Sequence, residues 1–381
     1  MTLPTTDSGI AKETTSADYL EELKDLIRLH LASQGEQPEK YNSLLGTITS
    51  DTEGDEHSWA NQWIRQGDLF SKQRDKRRAL LCYNFGRFPF VNGPDRAKAH
   101  QKCVNLFQFT RVDNNNIRKV RVPVGEDREM PVYTSGKWSK RTPLLLVIGG
   151  IVSIKEQWGD MLTAGSKLGF AVCVAEFPSV GENPLKYDAA SYSYLRLILD
   201  HLAQGEQDLN VYMVGISFSG ELVIKLAAED QRVKGIICSG CPVLKFFQDA
   251  QWWEVVPETT KRTLAHLMGC EEERVFSTLQ SFTISNATLK KVNIPVNYIA
   301  CRKDDIVPFE EAAILSSRLQ HIRVLELNDH HGGPNSMPLI KKFIPMSLME
   351  VTKGKWHPLT LAFKLMISAM LGRYKANIRF K

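Results

Sequence analysis

Almost uninterrupted apolar runs that alternate with helical segments are the feature of this sequence that most restricts its fold. The runs cover residues 143–150, 169–177, 210–214, 234–238, 294–300 and 322–327. A strand with one solvated face would alternate polar and apolar residues, so these runs predict strands that are buried on both faces. Helices between consecutive runs can cover both faces of such a sheet. We therefore predict an α/β fold with a doubly wound, mostly parallel sheet.

The first third of the chain shows helical periodicity instead. Apolar residues recur at helical spacing in residues 17–32, 58–70, 72–85 and 95–110, and no strand pattern precedes a hairpin around Gly125. The predicted organisation is a disordered tail over residues 1–15, an all-helical cap over 16–116, a catalytic domain over 117–350 with a helical lid insert at about 245–290 after its sixth strand, and a C-terminal segment over 351–381.

The C-terminal segment differs from the rest of the chain in charge. The 381 residues carry a formal charge of +5, yet residues 351–381 contain seven Lys or Arg and no Asp or Glu. Removing these seven charges leaves −2 for residues 1–350, so nucleic-acid binding is not expected. Residues 359–371 are apolar with one lysine, too short a helix to span a bilayer. Packing on the protein itself is favoured. The alternatives are an interfacial helix on an anionic membrane and docking on an acidic carrier domain or on the helical cap.

Cysteine usage and the N-terminus bear on the compartment. The seven cysteines are an odd number, and Cys238 and Cys241 form an isolated C-x-x-C for which two buried thiols are the favoured interpretation. The N-terminus lacks the apolar stretch of a signal peptide, and no apolar run reaches the length of a membrane span. These features predict a cytoplasmic protein without a transmembrane segment. Membrane association through the C-terminal segment is an alternative.

A serine-centred turn follows the run at 210–214. Its sequence is Gly215-Ile-Ser217-Phe-Ser219-Gly220, and a helical segment comes next. A G-x-S-x-G turn between strand and helix holds a nucleophilic serine at a strained backbone angle, which requires small neighbours. The N–H groups at the start of the helix also favour negative charge at this serine. We predict Ser217 as the nucleophile, with Ser219 as a minor alternative and an ordinary glycine-containing turn as the competing interpretation.

A serine nucleophile needs a general base, and that base needs a carboxylate to orient it. Asp304 and Asp305 follow the run at 294–300. We predict Asp304 as the acid and Asp305 as the runner-up, although one of the two could instead cap the next helix. The last apolar run is followed by His330 and His331, and His331 is favoured because it directly precedes glycine. The order Ser, Asp, His is that of α/β-hydrolases.

Acyl transfer also requires two N–H donors for the oxyanion that develops on the substrate. One donor is expected from the backbone of Phe218, directly after the predicted nucleophile. The other is expected from Gly150 or Ile151, in the glycine-containing loop after the run at 143–148. Glycine allows a backbone amide to approach a substrate closely.

The same loop resembles a known family. Residues 149–157, Gly-Gly-Ile-Val-Ser-Ile-Lys-Glu-Gln, are similar to the GG-x-(D/E)-S/T-x-K-E segment of FrsA-type α/β-hydrolases. This family includes a bacterial pseudooxynicotine hydrolase and a fungal hydrolase that shortens a heptaketide pigment precursor. The residues that resemble the family's helical cap are Trp59, Trp63, Arg77–Ala79, Tyr83 and Arg87–Phe90. The resemblance spans roughly residues 55–340 and implies an α/β-hydrolase core preceded by that cap.

Three positions depart from the family pattern. Val152 stands where an acidic residue is common, residues 176–181 replace Asp-x-P-G-x-G, and Ser219 replaces the second glycine of the turn. None of these changes removes a catalytic group, but all lie near the predicted pocket, so the identity of the substrate does not carry over. Lys155 and Glu156 are interpreted as an ion pair at the start of the helix after the third strand.

Aromatic residues supply candidate substrate contacts. Trp158 follows the predicted oxyanion loop, and the adjacent Trp252 and Trp253 lie in the predicted lid insert. Ordinary core packing explains any one of them equally well. The Trp252–Trp253 pair is the better candidate because lids commonly form in that insert.

The residues and the resemblance together imply a serine hydrolase or acyltransferase of fungal-type secondary metabolism. Its substrate would be a polyketide-derived acyl group, free or bound to a carrier. Thioester or ester hydrolysis, or lactone formation, ranks first because it needs only the triad and the oxyanion donors. Retro-Claisen C–C hydrolysis is the alternative, and a non-catalytic binding protein with this fold is the second. No metal or cofactor is expected, and the partners considered are a polyketide synthase and a second copy of the chain.

Overall fold

The computed structural model describes residues 16–112, 116–204 and 208–380, so the tail predicted over 1–15 lies outside the described residues. Within these ranges one sheet of nine strands forms the centre of the molecule. The strands are β1 (Ile117–Pro123), β2 (Glu129–Ser135), β3 (Leu144–Ile148), β4 (Ala171–Ala175), β5 (Val211–Ile216), β6 (Val233–Ser239), β7 (Val296–Cys301), β8 (Ile322–Leu327) and β9 (Asn377–Phe380).

The sheet has the order β1-β2-β4-β3-β5-β6-β7-β8-β9. The strands from β4 to β8 pair in parallel, whereas the hairpin β1–β2 and the edge strand β9 pair antiparallel. The predicted doubly wound, mostly parallel α/β sheet is thereby confirmed. Strand β4 lies on one side of β3 and β5 lies on the other, so the order in which strands are added to the sheet reverses at this point. The loops that follow the strands lie together at the carboxyl ends of the strands, where ligands bind in sheets of this kind.

Helices precede, flank and follow the sheet. The N-terminal helices are α1 (Ser16–Ser33), α2 (Asn42–Thr47), α3 (Trp59–Lys72), α4 (Lys76–Gly86) and α5 (Pro94–Phe107). The next helices along the chain are α6 (Gly159–Lys167), α7 (Ser193–Ala203) and α8 (Ser219–Ala227). The insert after β6 contains α9 (Lys245–Gln248), α10 (Ala250–Val255), α11 (Glu258–Met268), α12 (Glu272–Leu279) and α13 (Asn286–Lys291). The last helices are α14 (Glu311–Arg318), α15 (Met337–Lys353) and α16 (Pro358–Leu371).

Strand β3 shows why the apolar runs are continuous. All five of its residues are buried. Alternate side chains point to opposite faces of a sheet. Leu144, Leu146 and Ile148 therefore pack in a core that includes α7 and α8, while Leu145 and Val147 pack in a second core that includes α6 and α15. The two faces of β3 therefore contribute to different cores, which explains why its sequence is apolar throughout.

The N-terminal helices have a hydrophobic core of their own, which contains the buried Trp59 and Trp63. Val152, in the loop after β3, is partly buried against the same core. The buried guanidinium of Arg87 also contacts the carbonyl oxygen of Val152. These contacts attach the N-terminal helices to the loop in which the sequence predicts an oxyanion donor.

The C-terminal segment packs on the body through one face of α16 and through β9. Helix α16 packs against α15, with Thr360 and Ile367 buried. Strand β9, which the sequence analysis did not predict, pairs antiparallel with β8 at the edge of the sheet. The favoured expectation of packing is confirmed for these residues, although the opposite face of α16 remains exposed. None of the described helices combines the length and apolar character needed to cross a membrane.

Candidate active site

The turn between β5 and α8 holds Ser217 in a strained conformation. Its backbone φ is +56°, a left-handed value that costs a residue with a side chain free energy and that persists where the surroundings enforce it. A Cβ at Gly215 would lie 2.8 Å from the Cα of Gly220, which explains the glycine there. The alternative nucleophile, Ser219, is fully buried and donates to the carbonyl oxygens of Ile148 and Ile216 at 2.9 and 2.8 Å. Ser219 therefore fastens the turn to the end of β3.

The structure brings the three predicted residues into one chain of hydrogen bonds. The Nε2 atom of His331 lies 2.8 Å from the Oγ atom of Ser217. On the other side of the ring, Nδ1 lies 2.9 and 2.8 Å from the two carboxylate oxygens of Asp304. Asp304 is buried, whereas the runner-up Asp305 is exposed. His330, the alternative base, makes no such contacts.

The carboxylate of Asp304 also holds its own loop. One of its oxygens accepts hydrogen bonds from the N–H groups of Ile306 and Val307, at 3.0 and 2.8 Å. The competing interpretation, in which one aspartate caps the next helix, is wrong, because α14 begins at Glu311 and its N-cap residue is Glu310. Asp304 therefore fixes its loop and the imidazole of His331 at the same time.

The carboxylate of Asp304 favours the protonated form of His331, although burial of the imidazole opposes it. Burial alone would lower the pKa of His331. The charge and the hydrogen bond of Asp304, with a smaller contribution from Asp305, outweigh burial and raise the pKa above its usual value. A histidine of this kind can take a proton from serine and is stabilised once it is charged.

Gly240, in the loop after β6, lies against the same pair, and the sequence analysis did not single it out. Its φ is +57°, and an added Cβ would lie 3.0 Å from Cε1 of His331 and 3.3 Å from a carboxylate oxygen of Asp304. A side chain here would both strain the backbone and displace the imidazole. Gly240 lies between Cys238 and Cys241 of the C-x-x-C. The two thiols are buried and free, as predicted.

The predicted oxyanion donors surround Ser217. A Cβ at Gly150 would lie 3.0 Å from the Cβ and 3.6 Å from the Oγ of Ser217, so the loop after β3 passes directly over the hydroxyl. Among the described residues, the backbone N–H groups of Ile151 and Phe218 have no hydrogen-bond acceptor. Buried N–H groups are rarely left without an acceptor, and a functional role is one reason for an exception.

The three predicted substrate-contact tryptophans occupy different surroundings. Trp158 lies beneath the loop after β3, where its Nε1 would be 2.5 Å from a Cβ at Gly149. The Nε1 of Trp252 donates to the carbonyl oxygen of Ile306 at 2.9 Å, which ties the insert to the loop of Asp304. Trp253 belongs to a series of aromatic rings in which Phe218 contacts Phe246, Phe246 contacts Trp253, and Trp253 stacks on Phe276, with centroids 5.1, 6.1 and 5.6 Å apart.

A second polar network lies beside the loop after β3. The Nζ atom of Lys155, which is fully buried, lies 3.2 Å from Glu156, 3.3 Å from Glu176 and 2.6 Å from Glu182. The predicted Lys155–Glu156 ion pair is confirmed. Burial opposes the charge of Lys155, but the carboxylates outweigh it and raise its pKa. Burial raises the pKa of Glu176 to about 7, although Lys155 acts in the opposite direction.

This network also contains a set of atoms that could in principle hold a metal ion. One nitrogen of His100 and carboxylate oxygens of Glu156 and Glu176 lie within 4.8 Å of one another. The ammonium group of Lys155 already contacts both carboxylates, so a cation of the chain itself occupies that role. Burial lowers the pKa of His100 to about 4, and its imidazole is therefore neutral near pH 7.

His30, on α1, is a further residue near the site that the sequence analysis missed. Helix α1 contacts the short helix Pro334–Ser336 that follows His331. The imidazole of His30 packs edge-on against Phe88, with ring centroids 5.2 Å apart. Burial, followed by the nearby charges of Arg87 and His331, lowers its pKa to about 4. No local pattern marks this histidine, because its position depends on how α1 packs on the core.

The sheet topology, together with a strained serine that is hydrogen-bonded to a histidine and an aspartate, defines an α/β-hydrolase. A model of the FrsA-like esterase family matches residues 19–331. The chain belongs to this family, as the loop after β3 indicated, and is a hydrolase of the esterase type. Esterase FrsA of Pectobacterium atrosepticum is 19% identical over 334 residues, which cover 81% of this chain and 79% of that protein.

Two solved structures agree with this assignment. The structure titled AbyA5 wild type is 32% identical, with a TM-score of 0.85 over 92% of this chain and 99% of that chain. The 2,6-dihydroxy-pseudo-oxynicotine hydrolase is 16% identical, with a TM-score of 0.63 over 91% of this chain and 97% of that chain. At that identity the second likeness concerns the fold alone.

Proposed function

We propose that this chain is a serine hydrolase that works through an acyl-enzyme intermediate on Ser217. The observation that carries the proposal is the continuous hydrogen-bond chain from the Oγ of Ser217 through His331 to Asp304, with 2.8 Å between Oγ and Nε2. This arrangement allows the histidine to remove the serine proton as the hydroxyl attacks a carbonyl. The strained φ of Ser217 is typical of a turn that directs a nucleophilic hydroxyl towards a substrate at the carboxyl end of its strand.

Each residue of the proposed mechanism has one task. Ser217 attacks the acyl carbon, and His331 accepts its proton and then delivers that proton to the leaving group. Water attacks the acyl-enzyme in the second half of the reaction, or a hydroxyl of the substrate attacks it when a lactone forms. Asp304 orients the imidazole and stabilises its charged form. The N–H of Phe218 and that of Ile151 or Gly150 bind the oxyanion in both halves.

The substrate class proposed is a polyketide-derived acyl group in secondary metabolism, held as an ester or as a thioester on a carrier domain of a synthase. The resemblance to FrsA-type hydrolases motivates this choice. The aromatic series from Phe218 to Trp253 supports it, because these rings give the turn of the nucleophile an apolar neighbourhood. Trp252 and Trp253 are the proposed substrate contacts, and the insert that carries them is the proposed lid.

Retro-Claisen cleavage of a C–C bond is the second candidate. It requires an acid that protonates the carbanion leaving group, and His30 is the histidine whose position near His331 would suit that role. Its pKa of about 4, lowered by burial and by neighbouring positive charge, leaves His30 unprotonated near pH 7. A neutral imidazole donates a hydrogen bond but is a weak acid, so ester or thioester chemistry ranks first.

A fluorophosphonate probe tests the proposed nucleophile. We expect the wild-type protein to be labelled and Ser217→Ala to remain unlabelled, with Ser219→Ala as the matched control that keeps the hydroxyl of Ser217. Absence of labelling in the wild type would favour the alternative of a non-catalytic binding protein. Undiminished labelling of Ser217→Ala would refute the assignment of the nucleophile.

Product analysis tests the chemistry. The protein would be incubated separately with an acyl thioester, a lactone and a β-diketone of similar size, and the products identified by mass. We expect turnover of the thioester or lactone that Ser217→Ala abolishes. Preferential cleavage of the β-diketone would instead establish the C–C hydrolase.

A further inference from the structure

Helix α16 exposes an apolar face. Leu365 is 72% exposed, and Leu359, Leu361 and Met366 are 48, 38 and 46% exposed. Their spacing of four and seven residues places them on one side of the helix, opposite the buried Thr360 and Ile367. The loop before the helix adds Trp356, which is 75% exposed. Contiguous exposed apolar surface of this kind marks an interaction site rather than an ordinary solvated helix.

Basic residues stand at both ends of this face. Lys353 and Lys355 precede the helix, and Arg373 and Lys375 follow it, all of them exposed. None of these four pairs with a carboxylate within the described residues, whereas Lys364 and Arg379 pair with Glu350 and Glu326 of the body. Fourteen helical residues separate the two basic pairs by about 20 Å. No acidic residue occurs in residues 351–381 to offset them.

We propose that α16 is a membrane-surface helix that lies flat on an anionic lipid bilayer. The apolar face would enter the boundary between headgroups and acyl chains, and the two basic pairs would contact lipid phosphates at either end. This combination of an apolar face with basic flanks is typical of interfacial helices. Tryptophan is enriched at the same depth of the bilayer, which suits the position of Trp356 next to Lys355.

Charge argues against a second copy of the chain as the occupant. Two α16 faces related by a twofold axis, whether antiparallel or parallel, would bring a basic pair of one copy beside a basic pair of the other at both ends. Like charges at both ends would repel, and the segment offers no carboxylate to neutralise them. An anionic surface satisfies both ends together with the apolar face between them.

Co-sedimentation with lipid vesicles tests the proposal on the full-length protein. We expect binding to vesicles of phosphatidylcholine and phosphatidylglycerol, weak binding to phosphatidylcholine alone, and a decrease as salt is raised. Leu365→Glu should weaken binding about tenfold, because it removes a leucine side chain that the proposal buries in the bilayer. Neutralising Lys353 and Lys355 to glutamine should weaken binding about fivefold for each charge.

The control is Leu69→Glu, which changes a half-exposed leucine on α3 and should bind vesicles like the wild type. Circular dichroism and esterase activity should be unchanged in every variant, since α16 is outside the proposed catalytic machinery. Failure of the wild type to bind anionic vesicles, or equal binding by Leu365→Glu, overturns the proposal. A dimer in analytical ultracentrifugation that Leu365→Glu dissociates would instead assign the face to a second copy.

Discussion

Two polar networks lie at the carboxyl ends of neighbouring strands, and they differ in whether they leave a polar group available to a substrate. The chain of hydrogen bonds from Asp304 through His331 ends at the hydroxyl of Ser217, for which the described residues offer no hydrogen-bond partner beyond His331. The network around Lys155 closes on itself, because one ammonium group contacts three carboxylates. The first network can act on a substrate, and the second can only hold segments of the protein together.

The two networks also differ in what they hold in place. In the first, the left-handed backbone of Ser217, with a φ of +56°, sets the position of the hydroxyl. In the second, the N–H groups of Lys155 and Glu182 donate to the carboxylate of Glu176 at 3.2 and 2.9 Å, so the loop after β3 is fastened to the loop after β4. We infer that the network around Lys155, the closed network, positions the loop of the oxyanion donors. The network of Ser217, His331 and Asp304, the open network, does the chemistry.

The largest effect is expected when the open network loses its charge. Asp304→Asn keeps the shape of the side chain but places the histidine proton on the wrong nitrogen, so kcat for an activated ester should fall by about 10⁴-fold. Steady-state kinetics on a p-nitrophenyl ester measures this. Asp305→Asn, which changes the exposed neighbour, is the matched control and should retain most activity. A loss for Asp305→Asn as large as that for Asp304→Asn would mean that the acid has been misassigned.

The closed network should respond in stability rather than in chemistry. Lys155→Met leaves the carboxylates of Glu156 and Glu176 buried without a counter-charge, which should cost about 3 to 5 kcal/mol of unfolding free energy. Urea denaturation measures the change. Lys119→Met removes a partner of Glu182 nearer the surface and should cost less than about 1 kcal/mol. Equal losses of unfolding free energy in the two variants would show that the buried Lys155 contributes no more to stability than Lys119 does.

The sequence allowed prediction of the residues whose positions follow from the ends of strands. Asp304 and His331 were distinguished from their neighbours because local spacing decides which side chain faces the edge of a parallel sheet. The contacts of Gly240, His30 and Glu182 were not predictable, because each depends on the packing of segments that are far apart in the chain. Strand β9 was missed because its four residues, Asn-Ile-Arg-Phe, are too few to predict a strand, and its pairing with β8 supplies the structure.

A smaller effect is expected where the open network meets the loop after β6. Gly240→Ala adds a Cβ that would lie 3.0 Å from the imidazole of His331, and displacement of a catalytic group by a fraction of an ångström should lower kcat about 10- to 100-fold. Gly332→Ala is the matched control, because Gly332 also has a positive φ, +75°, but a Cβ there would meet no atom within 4 Å. Similar losses of kcat in both variants would attribute the effect to backbone strain instead of to contact with His331.

The smallest effect is a dependence of the unfolding free energy on pH, which we expect from the closed network. Glu176 has its pKa raised from 4.5 to about 7, chiefly by burial, so the folded chain keeps a proton that the unfolded chain loses. The free energy of unfolding should therefore fall as pH rises through this interval, by at most about 1.4 kcal/mol per unit from this one group. Glu176→Gln should flatten the slope measured by urea denaturation, while the exposed Glu129→Gln should leave it as in the wild type. The acid limb of kcat/KM, which the proposed mechanism assigns to His331, should not move in Glu176→Gln, and a shift of that limb would show that the closed network takes part in the chemistry of the open one.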